Sequence, residues 1–574
     1  MALGSDEKHV YVSSNAADSS EEARTTGIET AHPSSHGVFK RFLKKMELKS
    51  SDSERLSNED MDPVPWERRT WRWYNLAIYW ISDAFAPGGW RGASSLMEIG
   101  LSWRLSLLNI AIANIIMAVV ITLNSHPGAH YHVCFPVFSR VPFGFWFSYV
   151  MVFMRMITGI FWYGINTYTG AECVRTVLFA IWPSFRTLKN TLPESANITT
   201  NFMISWFIYF LLCIPVHLIK IENTRWYFLF KTCLTPICGF AIVGWIAHKM
   251  HGMPGENIFS EGSTVSGSKL TWAFMSALYS NMGGSSTYAT NASDYSRYTR
   301  KEYSILFQLV ALPFSNILMA VLGVVGAAGS KKIYGEILWD PLLLIDNWTS
   351  RGGRAAAAFC GIAFLVAQIG QNISANSVAA ANDLNCIFPK YINIRRGQII
   401  VAFLGAWALT PWNILTSATA FLSFMSGYSI WLSSIAGILF SDYWLVHKRK
   451  YDVYELYNPK GIYLYNKWGF NWRALVAFTV GWVPLLPGFI NAINSNIYVV
   501  EGMIRLYYLG FFYGFGASSL VYYGLCYFFP QPETYIEHEV LPPGKPIASD
   551  GIEAEEYIVG LEGGEYGVDE KKMN

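Results

Sequence analysis

The sequence predicts an all-α membrane protein of about twelve transmembrane helices, and three observations carry that prediction. Of its 574 residues, 52% are hydrophobic and only 15% are charged, with a mean hydropathy of +0.24; soluble chains of this length carry more charge. Apolar stretches close to the ~20 residues that cross a bilayer core recur along the chain. Two of them, the first and the sixth, are interrupted by Gly or Pro-Gly runs that a plain anchor helix does not need.

Residues 1–65 are polar and rich in Ser, Glu and Lys, and residues 531–574 are rich in Pro, Gly and Glu. Neither end buries enough apolar area to fold alone, so both read as solvated tails, without a cleavable signal pattern, around a membrane domain at 66–530. The net charge of +2 points to no nucleic-acid partner. The eight cysteines are scattered without a CxxC pair; they read as buried apolar thiols, and neither a metal nor a cofactor is expected.

The first span covers 73–98. Asp83 sits in its first half, and Pro87-Gly88-Gly89 interrupts its middle. Pro removes a backbone donor and Gly weakens the helix, so the hydrogen-bond ladder should open at 86–89. Freed backbone groups survive at membrane depth only against protein or a watery cavity. The segment is either a kinked structural helix or half of a solute site.

Further spans are expected at 104–124, 145–180, 202–220, 226–248, 270–290, 303–327, 355–385, 398–412, 416–443, 472–494 and 505–529. The third and eighth are long enough to tilt or to extend into solvent. A tight hairpin at Thr410-Pro411-Trp412-Asn413 separates the ninth from the tenth. An even number of crossings puts both termini on one side. A modest excess of Lys and Arg, including Arg297, Arg300, Lys390, Arg395 and Arg396, makes that side cytoplasmic. The sequons Asn197-Ile-Thr199 and Asn347-Trp-Thr349 then fall outside, where they could be glycosylated.

Span six holds Asn281-Met282-Gly283-Gly284-Ser285-Ser286, a second interruption five spans after the first. Matching breaks in two halves indicate an inverted repeat with a midplane site between the repeats. In span three, Trp162 and Asn166 are four residues apart and share a helix face. An indole plane beside an amide suits a flat heterocycle, one stacking and the other offering a donor and an acceptor; an interfacial Trp with a packing Asn is the plainer alternative. Span eight carries Gln368, Gln371, Asn372, Asn376 and Asp383. So many polar groups should face the protein interior, and helix–helix adhesion accounts for only some of them.

These residues resemble nucleobase–cation symporter family 1, in its fungal Fur-type branch of uracil, allantoin and uridine permeases, with thiamine-type permeases nearby. The resemblance runs over nearly the whole membrane domain. It is carried by Tyr79-Trp80-Ile81-Ser82-Asp83, Trp162-Tyr163-Gly164, Gly170-Ala171-Glu172-Cys173-Val174, Asn372-Ile373-Ser374-Ala375-Asn376-Ser377, Ala380-Ala381-Asn382-Asp383 and Ile392-Asn393-Ile394-Arg395-Arg396-Gly397. It implies a LeuT-like five-plus-five inverted repeat with two further helices. It also implies a binding set of Trp162, Asn166, Gly284, Ser285 and Asn376. Asn166 replaces the family's usual Gln, and Ser285 stands where the bacterial hydantoin carrier of the family has a second Trp. The shorter amide points to a solute bulkier than uracil, or one seated nearer span three.

The same bacterial carrier supplies two sodium-binding hydroxyls from span eight, and the matching positions here are Gly370 and Gln371. A proton needs only one titratable group, so Asp383, and after it Asp83, is the expected coupling residue, unless each is a structural acid paired to Arg155 or Lys231. Span ten, with Phe421, Gly427 and Tyr428, is expected to gate the outer side. The resulting expectation is a plasma-membrane proton symporter for a planar nitrogen heterocycle. A thiamine- or nicotinamide-riboside-type permease of the same family, or a non-transporting nutrient receptor, are the alternatives. No HExxH or GxSxG motif supports an enzyme. Tail lysines (Lys40, Lys44, Lys45, Lys571, Lys572) could take ubiquitin through ligase adaptors, as in related permeases; a solvated charge run is the plainer reading.

Overall fold

The computed structural model describes residues 44–48, 56–251, 262–408, 411–413 and 418–543. Chain contacts separate Met1–Glu47 from Leu48–Asn574; of the first unit only 44–47 are described, with one helical turn at 44–46. Everything below concerns the second unit.

Regular structure among the described residues is helical, with two isolated β-bridges. Eight helices are long and apolar enough to cross a membrane, among them Trp103–Tyr131, Ser148–Ile181 and Arg351–Ile387, which are spans two, three and eight. The other four expected spans are assembled from shorter pieces: Trp73–Ala84 with Pro87–Glu98, Gly267–Gly284 with Ser286–Asn291, Ile394–Phe403 with Leu404–Ala408, and Glu501–Tyr508 with Gly510–Phe528. Together they fit twelve crossings. Span three, long for one crossing, is a single helix of 34 residues.

Span one opens where Pro and Gly require. Phe85 leaves helical geometry at ψ 66, Ala86 is extended, and Pro87 takes the first helical position of the second half, where its missing N–H costs nothing. Span six opens at one residue only, Ser285, which stays near the α region at φ −97, ψ −2. Its interruption is a tight hinge, because two adjacent glycines permit close packing without forcing the chain to extend. A third irregularity lies in span eight, where Asn372–Ser377 forms a π-helical turn, a deviation that frees backbone groups and concentrates at functional positions.

The helices sort into two groups. Span seven (Gln308–Tyr334) packs on both halves of span one and on span two, which in turn touches span six. Span three packs on spans four (Thr200–His217) and eight, and the end of span eight packs on span nine. The two halves of the repeat thus contribute corresponding helices to each group.

The tail boundaries differ from the expected ones. Residues 56–65 lie against the membrane unit: Met61 and Val64 are buried, and the Asn58 amide donates to Asn385 Oδ1 at 2.6 Å and to the carbonyl of Pro389 at 2.8 Å. Residues 531–543 also pack, with backbone bonds joining Val540 to Tyr451 and Val453. A few apolar anchors and backbone pairings suffice to seat segments whose overall composition is polar. The tails beyond, with Lys40, Lys571 and Lys572, lie outside the described residues, as does Thr410 of the hairpin. Both sequon asparagines, Asn197 and Asn347, are surface-exposed.

A Cβ at Gly89 would lie 2.2 Å from the Ala84 carbonyl oxygen and 3.1 Å from Met319 Cγ. Gly89→Ala is therefore expected to strain the span-one break by roughly 1–3 kcal/mol, read as a lower melting temperature of the solubilised protein. Gly352→Ala, whose Cβ would meet nothing within 4 Å, serves as the neutral control.

Candidate functional site

Both broken helices open onto one cavity, with about 960 Å³ of empty space including its mouth. Spans one, two, three, six, seven, eight and ten all reach its wall. Of the residues singled out from the sequence, it gathers Trp162, Asn166, Gly284, Ser285, Asn376, Asp83 and Phe421.

Span three supplies the aromatic face. The Trp162 ring packs nearly perpendicular to Phe424 (centroids 5.3 Å apart, 71° between planes) and to Tyr428 (5.9 Å, 82°). Edge-to-face contacts of this kind brace the ring. Its indole N–H has no hydrogen-bond partner among the described residues. One turn further on, Asn166 is buried, and no described residue bonds to its amide, so both its donor and its acceptor are unengaged.

Asn376 is oriented by its neighbour. Its side-chain nitrogen donates to Asn372 Oδ1 at 3.0 Å, and Asn372 is itself anchored on the Tyr163 carbonyl (3.3 Å) and Thr167 Oγ1 (3.4 Å) of span three. The relay leaves the Asn376 carbonyl oxygen as the group offered to the cavity. The π-helical turn contains both asparagines.

At the span-six hinge, the Gly283 carbonyl accepts from the Tyr428 hydroxyl at 2.7 Å and from Ser286 Oγ at 2.7 Å. A Cβ on Gly283 would come within 2.2 Å of the Met425 carbonyl oxygen, so glycine is what lets span ten approach. Tyr428 thus braces the site from behind Trp162, off the cavity wall. Gly427, also off the wall, ends helix Ala418–Gly427, and a second helix, Ser429–Phe440, begins just beyond Tyr428. Phe421 stacks on Trp339 at 6.2 Å and 28°.

The two acids part company. Asp83 is on the wall and accepts from the Tyr288 hydroxyl at 2.7 Å and Ser374 Oγ at 3.3 Å; the buried Lys231 acts on it electrostatically, its ammonium without a hydrogen bond among the described residues. Asp383 is fully buried off the wall, ion-paired with Arg155, whose guanidinium also lies 3.6 Å from Asp294 and donates to the Ala379 carbonyl at 2.7 Å.

Several wall residues escaped the sequence reading. Arg91 donates to Thr169 Oγ1 at 2.6 Å and pairs with Glu172 and Asp340, joining span one to span three and to the loop before span eight. Asn114 and Asn316 sit in spans two and seven, which also carry Asn109, Asn124 and Gln308; an amide within an apolar stretch is the signal that could have found them.

Residues 63–514 match the profile of the family described as permease for cytosine/purines, uracil, thiamine, allantoin. The chain is 44% identical over 507 residues to an uncharacterized permease of Schizosaccharomyces pombe, covering 88% of this chain and 90% of the relative. It is 35% identical over 489 residues to the uracil permease of Saccharomyces cerevisiae, covering 83% and 77%, and 34% identical over 501 residues to its allantoin permease, covering 85% and 78%. The solved structure of Mhp1, a nucleobase-cation-symport-1 family transporter in a closed conformation with bromovinylhydantoin bound, superposes with a TM-score of 0.67 at 21% identity, over 83% of this chain and 97% of that one.

Removing one partner of a buried ion pair leaves the other charge uncompensated, at roughly 3–5 kcal/mol. Asp383→Asn alone should therefore lower the amount of protein at the cell surface, measured by surface biotinylation, and adding Arg155→Gln should restore part of it.

Proposed function

Since the chain belongs to the nucleobase–cation symporter family of permeases for cytosine/purines, uracil, thiamine and allantoin, we propose that it imports a planar nitrogen heterocycle of the uracil, allantoin or uridine kind with a proton. It is a multi-pass membrane transporter and not an enzyme. The plasma membrane is the proposed location, with both termini cytoplasmic and Asn197 and Asn347 outside.

One arrangement carries this reading: an aromatic plane, Trp162, beside the unengaged amide of Asn166 and the carbonyl of Asn376, on one cavity wall. A flat ring would stack on the indole while its N–H and C=O edge meets the two amides, with Gly284 and Ser285 letting main chain approach from span six. The fold neighbour Mhp1 was solved closed with bromovinylhydantoin bound, which agrees with a small ring as guest. Span ten would close the outer side by moving Phe421 about the joint at Gly427 and Tyr428.

Proton coupling is preferred over sodium for a local reason. A Cβ at Gly370 would lie 3.0 Å from Lys231 Cδ and 2.8 Å from Tyr227 Cε1. The position that would offer a hydroxyl to sodium is thus filled by a lysine stem. The Lys231 ammonium, tethered to span five, supplies the positive charge near Asp83 that a mobile cation would otherwise bring. Asp83 faces the cavity and can take a proton from it. Protonating Asp383 would instead release Arg155, so this second acid is proposed to respond to the conformational step.

Stacking of a base on an aromatic side chain contributes roughly 1–3 kcal/mol. Trp162→Ala should abolish measurable heterocycle uptake while surface abundance persists; unaltered uptake would end the stacking reading. With a proton loaded from outside, uptake by the intact chain should rise as external pH falls. Asp83→Asn should flatten that pH profile at equal surface abundance, and a profile still rising towards acid would move the proton elsewhere.

A further inference from the structure

The cavity has a second wall, of which the stacking site uses only Gly284 and Ser285. Spans three and eight, which carry Trp162, Asn166 and Asn376, pack on each other, whereas spans two and seven pack in the other group together with span six. From that other group three asparagines reach the cavity: Asn114, Asn281 and Asn316.

Each has its amide nitrogen tied back to its own helix. Asn114 Nδ2 donates to the Ile110 carbonyl at 2.9 Å, Asn281 Nδ2 to the Ala277 carbonyl at 3.1 Å, and Asn316 Nδ2 to the Leu312 carbonyl at 2.9 Å. A backbone carbonyl only accepts, so these contacts fix which end of each amide is nitrogen. All three side-chain oxygens are left over, and no described residue donates to any of them. Asn281 is held further by donating to Asn109 Oδ1 at 2.9 Å, and its oxygen faces Gly92, where a Cβ would approach it to 3.7 Å. These three amides therefore present acceptors without donors.

A row of acceptors calls for a guest rich in donors. A bare cation is the poorer match: the oxygens are neutral amides, the Arg91 guanidinium lines the same cavity, and Lys231 already acts on Asp83. Cation sites for hard ions gather about six oxygens, usually with carboxylates among them. Hydroxyl groups need only one acceptor each. We infer that Asn114, Asn281 and Asn316 form a second subsite, receiving the hydroxyls of a polyhydroxylated substituent on the heterocycle, so that the preferred solute is a ring joined to a sugar and not the free ring. This deepens the transport reading and rests on it. It also agrees with Asn166, whose side chain leaves more room than a glutamine would.

The test uses the full chain in cells lacking their own permeases, with labelled uracil, uridine and 2′,3′-dideoxyuridine, and with nicotinamide and its riboside. A neutral hydrogen bond to a hydroxyl corresponds to up to about tenfold in affinity. With two or three hydroxyls engaged, in at least one ring series the riboside should therefore be taken up with a kcat/KM about tenfold or more above that of its free ring. If that series is the uracil one, dideoxyuridine should fall back toward uracil. Asn316→Ala should cut the preference by up to about tenfold. The comparison of solutes needs no variant, so a misfolded mutant does not blunt it. Free rings carried as well as their ribosides in both series would overturn the subsite and leave the transport reading intact. A sodium requirement that Asn316→Ala abolishes would overturn it in favour of a cation site. Entry of no ring in either form would remove the transport reading and the subsite together.

Discussion

A peptide group inside a bilayer has no water to turn to, and every irregularity in this protein is shaped by that constraint. Span one can open at Phe85 and Ala86 because neighbouring helices close around it: Gly89 lets the chain fold back on the Ala84 carbonyl, and the Gln371 amide nitrogen lies 3.5 Å from the Asp83 carbonyl. Span six can open at Ser285 because Tyr428 and Ser286 both donate to the Gly283 carbonyl. The breaks are thus paired with the side chains that satisfy them, and these side chains come from the helices that form the cavity.

Span three shows how the rest is hung on that frame. Along one helix it carries Arg155, Trp162, Asn166, Thr169 and Glu172. At 1.5 Å per residue the first and last of these are ~25 Å apart. At one end Arg155 joins span three to Asp383 and Asp294; at the other Glu172 and Thr169 hold Arg91 beside Asp340. Trp162 and Asn166 lie between two buried ionic clusters. Each cluster ties span three to other parts of the fold, and such clusters are costly to leave half-paired. Alternating access requires one side of the cavity to loosen while the other holds, and this arrangement places a charge cluster on each side of Trp162 and Asn166.

The division of labour within the cavity follows from the two packing groups. Spans three and eight contribute the indole and amides that would face a ring edge. Spans two, six and seven contribute amide oxygens whose nitrogens are spent on their own helices. Asp83 belongs to the broken helix between them and takes hydrogen bonds from both groups, from Tyr288 beyond the span-six hinge and from Ser374 in the π-helical turn. A proton placed there would be felt by both.

Composition, apolar spacing and the Pro-Gly interruption determined the membrane class, the approximate spans and the existence of an opened first helix, because these depend on chemistry local to the chain. The motifs around Trp162 and Asn376 marked one wall of the cavity for the same reason: residues four apart on a helix share a face whatever surrounds them. Local chemistry does not say which helix lies opposite. Only the packing of span two against span seven brings Asn114 and Asn316 to the cavity, and only packing sets Asp383 against Arg155 while leaving Asp83 on the wall. The ordered reach of residues 56–65 and 531–543 was likewise decided by contacts such as Asn58 with Asn385 and Val540 with Tyr451, which join positions hundreds or tens of residues apart and leave no periodicity in either segment.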